Sequence, residues 1–270
     1  MGRPQLTQEE IRENALQLIR AAQTLIVRDG MAAVTIRNVA AEAGVSSASL
    51  YKYFRDLDEL ILFACVDFLK SYAHELVKRE KMLKNPTPAQ RYLLSWELFC
   101  KQAFTYPECL RHMFFGKHSD RLTHVIRAYY GMFPELLTEM SETFQVMMQG
   151  SRLRQRNLEV LRPLLGGQVM EERLLLINDL TVSYFRMLLE EKIADADGVD
   201  GERQMERMLD ACRFLTAMPE ADRGKSAARR LCPIRALSPD GGARPRLLVV
   251  KNRASRNRTQ NGRAPWDARR

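Results

Sequence analysis

The stretch TIRNVAAEAGVSSASLYKYF, residues 35–54, constrains the fold more than any other part of the chain. Two short apolar periods flank a single glycine, Gly44, and three of the last four residues are aromatic. Thr35 supplies a capping hydroxyl for a helix that carries Ile36, Val39, Ala40 and Ala43 inward, and Gly44 ends it. Ser46 caps a following helix that runs to about Phe54. At about 100° per residue, a buried face centred on Leu50 also takes Val45, Ser46 and Phe54, while Ala48, Ser49, Tyr51 and Lys52 face away and Ser47 and Tyr53 flank them. Helices this short depend on tertiary packing for their stability.

The outward face of the second helix has a particular chemistry. Small side chains at its start let the backbone approach a groove floor, the hydroxyls of Ser47 and Ser49 reach base edges, and the helix start at Ser46 favours phosphate. One turn later Tyr51, Lys52 and Tyr53 are long enough to meet the phosphate strands or, for Lys52, a guanine edge. Two helices joined by a glycine-centred turn, the second with a polar outer face, describe a helix-turn-helix. Periodicity by itself fits two surface helices of an ordinary bundle equally well.

Helix signals fill residues 7–218 and strand signals are absent, so the expected class is all-α. Thr7 and Glu10 form a capping box ahead of Ile11, Ala15, Leu18, Ile19, Ala22, Leu25 and Ile26, a run that stops at Gly30. Asp56 and Glu59 start a fourth helix of some 25 residues, long enough to connect two regions. After the NPTP break, Thr87, Pro88 and Gln90 restart the pattern, and further helices are expected near 89–105, 107–115, 119–131, 133–150, 168–192 and 202–217. The expected organisation is a DNA-binding domain over 7–60 (helix-turn-helix 35–54), a helical domain over 61–218, and a disordered basic tail over 219–270.

Composition supports that division. The chain is 46% hydrophobic, enough for a substantial core. Its net charge of +9 resides in the tail: residues 221–270 hold 14 Lys/Arg against 3 Asp, a net of +11, which leaves −2 for residues 1–220. Overall charge is therefore no argument for nucleic-acid binding in the folded part. The tail contains none of the 13 methionines or 11 phenylalanines and buries too little apolar surface to order itself. Five cysteines in irregular spacing, without a CxxC, read as reduced thiols of a cytoplasmic protein. The longest apolar run, Leu60–Val66, is far too short to cross a bilayer, and the polar start is not a signal peptide.

The segment TIRNVAAEAGVSSASLYKYFRDLDEL resembles the TetR family of bacterial transcriptional regulators (TetR/AcrR type), with the strong match over residues 7–64 and an architectural likeness beyond. The resemblance implies a recognition helix whose groove-facing set is Ser47, Ala48, Ser49, Tyr51, Lys52 and Tyr53, with Thr35 and Arg37 at the backbone or an adjacent base. Family members often place a lysine just inside the fourth helix; here that position is Leu57. Ahead of the first helix, Arg3 lies on a basic arm of the kind that enters a minor groove.

One such module contacts few bases, so a homodimer reading a near-palindromic operator in double-stranded DNA is expected. The expected interface stripes are Leu174, Ile177, Thr181, Tyr184 and Leu188 on one helix and Met205, Met208, Leu209 and Cys212 on the next. The same stripes would also serve as core within one subunit. The resemblance implies an effector pocket in the intervening segment, rich in aromatics and methionine: Trp96, Phe99, Phe104, Met113 and Phe114, then Tyr129, Tyr130, Phe133, Phe144 and Met147. A core of these residues would look identical. That lining suits a small apolar or aromatic effector, and no cofactor is implied. The expected function is a ligand-responsive repressor. An architectural DNA-binding protein without an effector is the alternative.

Other classes find little support. Cys109, His112, His118 and His124 cluster, but His118 lies past Gly116 and no carboxylate completes a metal-ligand set. No Glu-x-x-His pair, phosphate loop or nucleophile-base constellation marks an enzyme.

Overall fold

The computed structural model of the protein describes residues 7–117, 119–131, 139–150, 152–167 and 169–217. The described residues form eleven α-helices and no strand; a single bridge between Gly166 and Val169 is the one extended pairing among them. Arg3, His118, Phe133, Cys232 and the basic tail lie outside the described residues.

Helix α1, Gln8–Asp29, begins at the expected capping box, with Thr7 and Glu10 exchanging backbone hydrogen bonds. It buries Ala15, Leu18, Ala22, Leu25 and Ile26 against α2, Ile36–Glu42, and α4, Leu57–Met82. Thr35 caps α2 by accepting the Asn38 amide at 3.2 Å. The turn that follows is a Schellman motif: Gly44 N–H donates to the Ala41 carbonyl at 3.1 Å and Val45 N–H to Ala40 at 2.9 Å. Gly44 sits at φ +67°, a conformation that costs any residue with a Cβ about 1–2 kcal/mol. The Gln17 amide of α1 donates to the Ala43 carbonyl at 2.7 Å and so ties the turn to the first helix. Helix α3, Ser47–Tyr53, then leads through Phe54 and Arg55 to Asp56, whose carboxylate accepts the Glu59 amide and caps α4.

The run Leu60–Val66 is buried on every side, because α1 covers one flank of α4 and α5, α6 and α7 cover the rest. Helices α5, Pro88–Thr105, and α6, Pro107–Phe115, match the expected spans closely. The segment expected as one helix near 119–131 is a 3-10 turn, Ser119–Arg121, followed by α7, Leu122–Gly131. Of the helix expected over 133–150, residues 132–138 lie outside the described residues and Glu142–Gln149 forms α8.

Helix α9, Leu153–Leu165, has no counterpart in the sequence reading. Two of its inward positions are Arg156 and Asn157, so its apolar stripe is interrupted, and Pro163 reads as a breaker although it falls in the last turn. Both polar side chains are buried and held. The Arg156 guanidinium donates to the carbonyls of Gly150 and Met148, and Asn157 accepts from the Trp96 indole N–H and donates to Asn178, each at 2.9 Å. Helices α10, Glu171–Ala194, and α11, Gly201–Thr216, complete the body, α11 packing on α5 and α10.

Cys65, Cys100, Cys109 and Cys212 are free and buried, and burial pushes the Cys212 thiol up to about 12. Open space surrounds the position that a Cβ would take at Gly44, so substitution there reports backbone strain alone. Gly44→Ala is expected to destabilise the fold by about 1–2 kcal/mol, lowering the thermal midpoint by roughly 2–8 °C, with Gly44→Asn less harmful. An unchanged midpoint for Gly44→Ala would refute this account of the turn.

Candidate nucleic-acid interface

The orientation of α3 follows from two side chains. Leu50 is fully buried, and Phe54 packs edge-on to Phe63 of α4 with ring centroids 5.6 Å apart. With that edge held down, Ser46, Ser47, Ala48, Tyr51 and Lys52 are exposed, and Ser49 and Tyr53 are half-buried on the flanks. Tyr51 retains 53% of its surface, far more than a tyrosine anchored in the core would. The small-and-hydroxyl side of the helix therefore faces outward.

Ser46 and Ser49 differ from expectation: Ser46, placed on the buried side by helical spacing, is exposed, and Ser49, placed outward, is half-buried, because Ser46 precedes the first helical residue and does not follow the helix's rotation. Ser46 stands at the cap position, but its hydroxyl makes no bond to the helix backbone; it lies 3.0 Å from the Ser49 hydroxyl. Ser49 N–H donates to the Ser46 carbonyl at 2.9 Å. Each hydroxyl carries one hydrogen and two lone pairs, so the pair keeps hydrogen-bonding capacity on the exposed face. Thr35 and Arg37 are exposed at the start of α2, beside Asn38, whose amide donates to the Ala33 carbonyl at 2.8 Å. Arg55, just past α3, is exposed too, and was not among the expected contacts. Leu57, the departure from the family pattern, is half-buried at the start of α4.

A small cavity of about 20 Å³, room for little more than one water, lies in the helical body. Trp96, Phe99 and Met147 line it, as expected of a pocket, together with Tyr72, Ser95, Leu153, Arg156, Asn157 and Val160, which the sequence reading did not single out. Phe104, Met113, Phe114 and Phe144 are instead buried elsewhere in the core. Tyr129 and Tyr130 lie in α7, with side chains outside the description. The omission of Arg156 and Asn157 has the same cause as the omission of α9: polar residues at helical spacing read as a solvated face.

The expected dimer stripes turn inward. Leu174, Ile177, Thr181 and Leu188 of α10 and Met208 and Cys212 of α11 are buried within the subunit; Tyr184, Met205 and Leu209 are half-buried. Helix α10 is apolar on two sides, so a stripe read from sequence identifies a packed face without saying what packs on it. The outward apolar residues are Leu175, Leu176, Leu180 and Met187 of α10 and Phe214 of α11, the last 84% exposed. Among the described residues no three His, Cys, Asp or Glu side chains converge as a metal site, and no helix is long and apolar enough to cross a membrane.

Residues 18–63, from α1 into α4, match the family model for bacterial regulatory proteins of the tetR family. The HTH-type transcriptional regulator HbdR of Aromatoleum sp. (strain CIB) is 32% identical over 76 residues, which are 28% of this chain and 33% of HbdR, so the chain spans about a third of that relative's length. Three solved structures align over most of the chain. They are Thermus thermophilus FadR, a TetR-family repressor in complex with lauroyl-CoA (16% identity, 84% of this chain and 100% of that one, TM-score 0.47), and RolR in complex with resorcinol (18%, 79% and 97%, 0.45). The third is a putative TetR-family regulator from Mesorhizobium loti MAFF303099 (13%, 78% and 98%, 0.44). Residues 18–63, which carry the helix-turn-helix described above, thus form a domain of the type found in bacterial regulatory proteins of the tetR family.

Proposed function

We propose that the chain is a ligand-responsive repressor that binds a near-palindromic operator as a homodimer. The observation that carries the reading is the outward small-and-hydroxyl face of α3, held by Leu50 and Phe54. In this reading Ser47, Ala48, Ser49 and Tyr51 approach base edges, Lys52 and Tyr53 meet the strands, and Thr35 and Arg37 contact the flanking backbone.

The second copy packs on the outward face of α10 and α11. Leu176, Leu180 and Met187 recur at spacings of four and seven on one side of α10, and Phe214 of α11 is the most exposed large apolar side chain of the described residues. Burying such residues between two chains removes apolar surface from water at about 25 cal/mol per Å², and a two-fold axis doubles every contact.

The effector enters the helical body at the cavity beside Trp96 and Phe99, with Met147 as adaptable wall and Arg156 and Asn157 as polar handles. A cavity of about 20 Å³ is too small for an organic molecule, so binding requires the body to open. That requirement couples the ligand to conformation: it favours the opened form and depletes the one that holds DNA. Emptying an operator this way needs a differential affinity of roughly 10²–10⁴ between the two forms.

Selection of DNA from a random pool with the full chain, followed by a binding titration, tests the interface. Lys52→Ala and Tyr51→Ala are each expected to weaken operator binding by about 1–3 kcal/mol, roughly five- to 150-fold; wild-type affinity in both would sink the assignment of α3. Sedimentation of a Leu180→Glu, Phe214→Glu double variant is expected to give a monomer where the parent gives a dimer, and a parent monomer would remove the homodimer from the mechanism.

A further inference from the structure

Arg12, Arg20, Arg28, Arg37, Lys52 and Arg55 are the cations of residues 7–56, and only Arg28 forms an ion pair among the described residues, with Asp29 and Glu42. In the helical body many cations are paired, among them Arg79 and Lys101 with Glu97, Arg91 with Glu80 and Arg162 with Glu171. Arg55, directly after α3, shows why a cation here stays unpaired. The backbone at Phe54 (φ −124°, ψ 147°) and Asp56 (φ −155°, ψ 179°) is extended, so successive side chains alternate in direction. Phe54 is buried, Arg55 is exposed, and Asp56 turns back to cap α4.

The Arg55 N–H donates to the Glu59 carboxylate at 2.6 Å, which fixes the backbone from which the side chain leaves. The acids nearest in sequence are already committed. Asp56 and Asp58 lie 3.1 and 3.6 Å from the Lys117 ammonium, and Glu59 is buried. The Arg55 guanidinium therefore makes no ion pair or hydrogen bond among the described residues.

Helix α3 is seven residues long, roughly 10 Å at the standard rise and close to the roughly 12 Å width of a major groove. Its ends consequently meet the phosphate walls. At the C-terminal end the last carbonyls carry partial negative charge, which repels a phosphate unless cations offset it. Lys52 in the last turn and Arg55 just beyond are the cations at that end, and residues 46–55 contain no acid.

We infer that Arg55 is a phosphate-binding residue of the interface, its guanidinium gripping the strand that passes the C-terminal end of α3. The inference rests on the proposed function in taking duplex DNA as the partner. A planar guanidinium offers two parallel N–H groups to phosphate oxygens, and such a contact adds affinity and register without reading sequence.

The test titrates the full chain with a random-sequence duplex and with a selected operator over a range of salt. Arg55→Gln is expected to reduce the slope of log affinity against log salt by about 0.9 on both duplexes, and to weaken binding about eight-fold near 0.1 M salt. The ratio of the two affinities is expected to stay at the parental value. Arg55→Lys, which keeps the charge, retains the slope. Arg28→Gln removes a charge that Asp29 and Glu42 already balance, and is expected to keep the slope as well. A parental slope in Arg55→Gln overturns the inference, as does an equal fall in Arg28→Gln, since the slope would then follow net charge instead of a contact. A reduced slope on the random duplex with no sequence selected leaves Arg55 in place and removes the repressor reading. A selected operator with an unchanged slope does the reverse, and absence of salt-dependent binding to either duplex overturns both.

Discussion

Everything proposed for this chain depends on the burial of one edge of a seven-residue helix. Leu50 and Phe54 lie a turn apart on α3, and their removal from water fixes the helix's rotation about its own axis. Rotation of that helix by half a turn would bury serine and lysine and expose leucine and phenylalanine, a loss that its few backbone hydrogen bonds would not offset. The aromatic contact with Phe63 extends the anchoring into α4, and the Schellman turn at Gly44 sets where α3 begins. The polar face is thus a consequence of what the opposite face must hide.

The parts of the fold visible in the sequence are those where local chemistry and tertiary demand agree. The capping boxes at Thr7 and Thr87, the cap at Asp56 and the glycine stop at Gly44 each appear in the structure where their residues place them. Helix α9 was hidden because Arg156 and Asn157 occupy inward positions, and only the carbonyls of Met148 and Gly150 and the side chains of Trp96 and Asn178 make those positions tolerable. No periodicity carries that information, since the partners lie outside the helix itself, those of Asn157 more than twenty positions away.

The two long helices at the end of the body illustrate a related ambiguity. A stripe of apolar residues declares that something covers it without identifying the cover. On α10 the stripe through Leu174, Ile177 and Leu188 meets the chain's own core, and the stripe through Leu176, Leu180 and Met187 stays exposed. The same limit applies to the cavity: an aromatic-rich segment announces a core, and which of its rings border empty space depends on how α5, α8 and α9 meet.

Helix α4 runs for 26 residues without a glycine or proline, a span of roughly 39 Å at the standard rise. Such a rod has no weak point at which to bend. A tilt of only about 5° about its distal end would carry its first turn through roughly 3 Å, comparable to the spacing of adjacent base pairs, because stiffness turns a slight rotation at one end of a rod into a larger displacement at the other.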